Sequence, residues 1–269
     1  MKLARVTTAA HSAPLIVTPA GNDWLPVTQK PDGIWETTGT AVEPLTWLPP
    51  VEPAVLYAIG VNYRAHAEEM NQPFPEHPVV TMKNPASATG HRCPVMLPRF
   101  LASNQVDFEV ELAIVIGRRA KNLRPENALD AVAGFTIAND ISARDWQKIY
   151  SGGQWVKGKS FDTFCPLGPV MVTPDEIDNP DALALGVDLN DQPMQHSNTA
   201  DMIFTVRELI AFLSGSATLL PGTVILTGTP PGVGAARTPP VFLQPGDRLR
   251  TWIDGIGTLE NPVIEEPLR

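Results

Sequence analysis

The chain has 269 residues, 43% of them hydrophobic and 18% charged, and carries a formal net charge of −9. That length suits one large domain, or one domain with a small appendage, of ordinary globular composition. The acidic balance argues against nucleic acid as a partner, and no apolar run approaches the roughly 18 residues that a bilayer span requires.

The 28 prolines and 20 glycines are scattered between apolar runs, which reads as many turns joining short strands. Residues 1–50 alternate short β-like pieces with turns at Gly21-Asn22-Asp23 and Pro31-Asp32-Gly33. Trp24, Trp35 and Trp47 are expected to anchor a small strand-rich N-terminal unit there, and residues 44–53 read as a linker into a main unit. Thr7, Thr8, His11, Ser12 and Pro14 interrupt any signal-peptide core, so a cytoplasmic location is expected. Cys93 and Cys165 are too few for a disulfide framework in a chain of this length and are expected to stay reduced.

Residues 55–60 read as the first core strand, followed by a short helix starting near Asn62. On that helix His66 and Glu69 are three apart and share a face. They form either an acid–base pair, with the glutamate orienting the imidazole, or an ordinary surface ion pair. Residues 71–78, with three prolines, make a loop suited to act as a lid. A strand over 79–85 carries Lys83, by composition alone a solvated charge.

The segment Asp107 to Gly117 is the most informative. Phe108, Val110 and Leu112 alternate with acidic residues and a β-branched run follows, which predicts a strand. Successive side chains alternate faces, so Glu109 and Glu111 share one face, with Asp107 a candidate to join them. Such a pair is either the solvated face of an edge strand or a site for a hard cation, Mg²⁺ or Mn²⁺, with Ca²⁺ as a further candidate.

A helix is expected over 126–132 and a buried strand over 134–140. Asp140, at the end of that strand, caps the next segment or supplies a third metal ligand. Lys157 and Lys159 lie in a turn-rich segment and read alone as surface charges. Further on come a strand over 167–172 and a hairpin joining 184–189 to 192–196 through Asn190-Asp191. Thr205, with Glu208 three residues on, is a capping box that starts an amphipathic helix to Leu213. A strand then enters the loop Thr227-Gly228-Thr229-Pro230-Pro231-Gly232, whose spacing is not that of a dinucleotide fingerprint. Strands over 249–253 and 257–263 close the chain.

Taken together, the segments IGVNYRAHAEE, MKNPAS, DFEVELAIVIG, GFTIANDISARDWQ, KGKSFDTFCPLGP, NTADMIF, ILTGTPPGVG and PGD resemble, in order, the fumarylacetoacetate hydrolase family, over about residues 55–263. The resemblance implies a mostly β fold with short helices (α+β), a rolled mixed sheet in a catalytic domain over 51–269, a small N-terminal domain over 1–50, and a homodimer. It assigns Glu109, Glu111 and Asp140 to Mg²⁺ or Mn²⁺, Lys159 to charge neutralisation beside the metal, and the His66–Glu69 pair to general acid–base work. Arg144, Lys83, Thr229 and Gln154 would line the pocket for a small-molecule 2-oxo acid.

The activity so implied is metal-dependent hydrolysis of a C–C bond in an acylpyruvate-like 2,4-dioxo acid, through an enolate. Oxaloacetate decarboxylation, or isomerisation, tautomerisation or hydration of related 2-oxo acids, would use the same parts. A non-enzymatic metal- or ligand-binding protein is the reading from a different class, and the intact set of Glu109, Glu111, Asp140 and Lys159 counts against it.

Overall fold

The fold was described from a computed structural model, over residues 1–30 and 33–267; the turn expected at Pro31-Asp32-Gly33 falls largely outside them. The N-terminal strands are β1 (Lys2–Thr7), β2 (Leu15–Ala20), β3 (Asp23–Gln29), β4 (Trp35–Thr37) and β5 (Thr46–Leu48). Next come β6 (Val55–Gly60), α1 (Arg64–Glu69), β7 (Val79–Lys83), β8 (Val95–Leu97), β9 (Val110–Ile116) and β10 (Val132–Asn139). The helices α2 (Arg144–Lys148) and α3 (Val156–Lys159) lead to β11 (Cys165–Val172) and the hairpin β12 (Ala184–Leu189) and β13 (Gln192–Asn198). The chain finishes with α4 (Val206–Ser214), β14 (Thr223–Leu226), β15 (Arg248–Ile253) and β16 (Gly257–Glu265).

Two open sheets carry the molecule. The larger runs β4-β3-β2-β1-β11-β10-β9-β14-β6-β7, antiparallel except where β14 pairs parallel with β6. The smaller runs β13-β12-β15-β16-β8. This is the mostly β, mixed-sheet architecture with short helices that the resemblance implies. Among the described residues no helix is long and apolar enough to cross a membrane.

Strand β9 sits at the middle of the larger sheet, hydrogen-bonded to β10 on one side and β14 on the other, and all seven of its residues are buried. The solvated edge strand weighed above is therefore excluded. Alternation splits its side chains between two apolar clusters. Val110, Leu112, Ile114 and Ile116 enter the main core, while Ala113 and Val115 enter a smaller cluster with Leu56, Ala58, Leu167 and Leu226. Glu111 alternates onto the smaller-cluster side, at the end of the strand where the apolar layer stops.

Several expected elements are displaced for identifiable reasons. The helix begins at Arg64, not near Asn62, because the Asn62 amide is buried and ties the end of β6 to the segments after β14 and before α4. It donates to Thr227 O (2.7 Å) and Phe204 O (3.1 Å) and accepts from the Phe204 N–H (2.8 Å). Asp201 instead accepts from the first-turn N–H of Ala65 at 3.0 Å. The expected helix over 126–132 is a 3₁₀ segment, Pro125–Ala131. The stretch read as a linker contains β5, which pairs with β1; β1 also pairs with β11 through Lys2 and Leu3, so the N-terminal strands prolong the main sheet. Trp24 and Trp47 meet edge to face at 4.9 Å, with His91 edge-on to Trp47 at 5.3 Å, whereas Trp35 lies apart in β4.

Candidate active site

Antiparallel pairing of β9 with β10 sets Val110 opposite Asn139, so the residues flanking that pair, Glu109 and Asp140, come side by side. Here the ladder is completed by a side chain: the Glu109 N–H donates to Asn139 Oδ1 (2.9 Å), while the Asp140 N–H donates to Glu109 O (2.8 Å). Glu111 reaches the same point from within the strand. One carboxylate oxygen from each of Glu109, Glu111 and Asp140 lies within 4.8 Å of the others, and all three residues are buried. Asp107 does not join them. The chain breaks from strand geometry at Phe108, and Asp107 turns to accept from Arg144 Nε (2.9 Å) and from the N–H groups of Gly234 (2.7 Å) and Ala235 (2.9 Å).

Burying such a cluster requires compensation, because an uncompensated buried charge costs several kcal/mol. Lys159 donates to Glu109 Oε2 (2.8 Å), Asp140 Oδ2 (2.6 Å) and Ser142 Oγ (2.8 Å). Lys83 donates to Asp140 Oδ1 (2.5 Å) and Ile141 O (3.1 Å), and Arg144 Nη1 lies 2.7 Å from Glu109 Oε1. Four buried carboxylates, counting Asp107, thus stand among three buried cations. The consequences differ by residue. Burial works to raise the Glu109 pKa, but Arg144 and Lys159 together hold it well below the usual carboxylate range. For Lys159, burial works to lower the pKa while Asp140 and Glu109 raise it above its ordinary value. For Glu111, burial and then the charges of Asp140 and Glu109 push the pKa well up.

Glu111 has no cationic side chain in hydrogen-bonding range among the described residues, only the Gly228 N–H at 2.5 Å. Three converging oxygen donors, one of them lacking a counter-charge, fit a hard divalent cation such as Mg²⁺ or Mn²⁺.

The triad opens into a cleft that His66, Arg144, Lys159 and Thr229 also line. Glu69 stands behind His66: its Oε2 lies 2.9 Å from His66 Nδ1, and its Oε1 accepts the Gly232 N–H at 2.9 Å. Burial works to raise the Glu69 pKa, but His66 and the Gly232 N–H bring it below the ordinary value.

Two of the expected residues lie elsewhere. Lys83 is beneath Asp140 and absent from the cleft wall, so its contact is with a ligand candidate and not with the cleft. Gln154 is exposed; the neighbouring Trp155 faces the cleft in its place. Sequence reasoning also missed Gln147 and Lys148, although helix periodicity from Arg144 pointed to both. It missed Gln195 too, whose buried amide joins Val110 N (3.0 Å) to Thr229 Oγ1 (2.9 Å) and Pro230 O (2.7 Å). No local pattern marks it.

Fold and site define an α+β protein with a buried acidic centre at the end of a central strand, opening into a cleft. The family model for the fumarylacetoacetate hydrolase C-terminal domain matches residues 55–264. Oxaloacetate tautomerase fahd2, mitochondrial, of Xenopus laevis is 48% identical over 216 residues, 80% of this chain and 67% of that protein. The structure of 5-carboxymethyl-2-hydroxymuconate delta-isomerase from Mycobacterium smegmatis superposes with a TM-score of 0.83 at 38% identity, over 100% of both chains. The fumarylacetoacetate hydrolase of Exiguobacterium antarcticum superposes with a TM-score of 0.85 at 34% identity, over 99% of this chain and 100% of that one. The chain belongs to the fumarylacetoacetate hydrolase family.

Proposed function

We propose that the protein is an enzyme that interconverts the keto and enol forms of oxaloacetate or a closely similar 2-oxo diacid, with a divalent cation held by Glu109, Glu111 and Asp140. The observation that carries the reading is the pairing of one cleft-lining base, His66, with a cluster of buried cations and carboxylates in the same cleft. The name of the 48%-identical Xenopus relative supports this choice of substrate.

The chemistry follows from the residues present. With Nδ1 held by Glu69, His66 has Nε2 free to take a proton from the carbon next to the keto group. The electron pair of that C–H bond forms the C=C bond, and the keto oxygen becomes the enolate oxygen. A proton returned to that oxygen completes the enol; the reverse sequence restores the ketone. Lys159, kept protonated by Glu109 and Asp140, holds positive charge beside the developing anion. When bound, Mg²⁺ or Mn²⁺ would supply Lewis-acid polarisation of the keto oxygen. Trp155 and Ile59 make part of the wall apolar, which strengthens each of these electrostatic contacts.

Hydrolysis of a C–C bond in an acylpyruvate-like 2,4-dioxo acid is the second reading. The same His66–Glu69 dyad favours it, since an imidazole that removes a carbon-bound proton equally activates a water. Loss of the oxaloacetate enol absorbance, followed with Mg²⁺ and with EDTA, tests the first reading. Acceleration above the spontaneous rate that EDTA abolishes supports it. No acceleration, together with pyruvate and acetate formed from acetylpyruvate, would replace it with the second.

A further inference from the structure

Four side chains able to carry positive charge line the cleft: His66, Arg144, Lys148 and Lys159. Three are already committed. Lys159 places its three donors on Glu109, Asp140 and Ser142. Arg144 is paired with Asp107 and Glu109 and donates to Gln147 Oε1 at 3.0 Å. His66 is engaged by Glu69. Lys148 is different: among the described residues no hydrogen bond or ion pair holds its ammonium group.

Its position follows from helix geometry. Lys148 is four residues after Arg144 on α2, so the two share a helix face, here the one toward the cleft. Arg144 reaches inward to Glu109, while Lys148, exposed, stands toward the solvent side. Burial, and then the Arg144 charge, bring the Lys148 pKa below its ordinary value, so an incoming anion would relieve an unfavourable setting. A ligand seated with its 2-oxo acid end at the acidic centre extends its other end away from the triad, where Lys148 is the one uncommitted cation on the wall.

We propose that Lys148 binds the distal carboxylate of the substrate and thereby makes the cleft selective for 2-oxo diacids over 2-oxo monoacids. This specificity role rests on the reading of the cleft as a 2-oxo acid site but not on which reaction it catalyses. Gln147 and Trp155 flank the same wall and confine the ligand's far end.

A matched pair of probes tests it: 2-oxoglutarate and 2-oxovalerate, which differ only in a terminal carboxylate or methyl. Their affinities are measured by calorimetry on the full chain with Mg²⁺ present. A charge-assisted hydrogen bond is worth roughly 10- to 100-fold in affinity, so the diacid should bind at least about tenfold more tightly. In Lys148→Met that preference should fall below about twofold, mostly through weaker diacid binding, and Lys148→Arg should retain it. A Lys148→Met protein that keeps the full preference, or a parent protein with none, overturns the proposal. Circular dichroism confirms that the variants fold. Loss of the preference in a protein without tautomerase activity would leave the Lys148 assignment standing and remove the proposed reaction instead.

Discussion

Glu69 Oε1 accepts the backbone N–H of Gly232 at 2.9 Å, so the carboxylate that holds His66 also fastens α1 to the glycine-rich loop after β14. The loop in turn depends on glycine at that position. Gly232 has φ +100°, and a Cβ there would fall 2.3 Å from the carbonyl oxygen of Met194. Gly232→Ala should therefore cost about 1–3 kcal/mol from backbone strain alone, read as a lower urea midpoint. It should also lower the rate by more than Glu69→Gln does, because the loop itself shifts. A Gly232→Ala protein with unchanged midpoint and rate would show that the latch does not matter.

The acidic centre predicts a linkage between metal and protons. Burial and the charges of Asp140 and Glu109 push the Glu111 pKa up, so a proton and a cation compete for the triad. Mg²⁺ or Mn²⁺ affinity should rise with pH, and calorimetry in two buffers of different ionisation enthalpy should detect the released proton. Metal added to EDTA-treated protein should raise the melting temperature in the parent and leave Glu111→Gln nearly unmoved. Equal stabilisation of the two proteins would place the cation elsewhere.

His91, outside the cleft wall, supplies a separate pH effect. Burial, and then the charge of Arg92, bring its pKa down to about 4, and its neutral Nδ1 accepts the Glu260 N–H at 3.1 Å. The unfolded chain binds a proton at this group near pH 6.5. Its contribution is therefore present above about pH 6.5 and is lost as pH falls towards about 4. Allowing for solvent screening, the parent should lose about 1–2 kcal/mol more than His91→Asn between pH 7.5 and pH 5 in urea unfolding. Parallel losses would exclude the effect.

The two thiols should differ. Burial pushes the Cys165 pKa up to about 12, and Cys165 is wholly enclosed, whereas Cys93 is partly exposed. A thiol reagent at pH 8 should modify Cys93 first and reach Cys165 only in denaturant. Fast modification of both in the folded protein would contradict the packing around β11.

What was legible in the sequence is local chemistry. The capping box at Thr205 and Glu208 is present, with the Thr205 N–H donating to Glu208 Oε2 at 2.8 Å. The Asn190-Asp191 turn takes positive φ at both residues, as a tight hairpin requires. Glu109 and Glu111 were readable as a pair because strand alternation is a property of the chain itself. Long-range order was not readable. That β9 lies inside the sheet depends on β14, more than a hundred residues later, and that β1 pairs with β11 depends on an equally distant strand. Lys83 was misplaced for the same reason: β7 sits at a sheet edge, but its last side chain reaches under Asp140. Gln154 and Trp155 differ by one loop position, which no periodicity resolves.

The enclosure of β9 has a kinetic meaning. Local opening is costly where backbone hydrogen bonds are covered and apolar contacts are many, and cheap where they are few. Amides of residues 110–116 should exchange with deuterated solvent only on global unfolding, while those of 64–69, anchored chiefly through Asp201 and Gly232, exchange by detachment of one helix. His66 thus rides on the part expected to exchange faster, and the carboxylates on the part expected to exchange slowly. On this expectation α1 detaches many times for each opening of the sheet, and the acidic centre outlasts every such event.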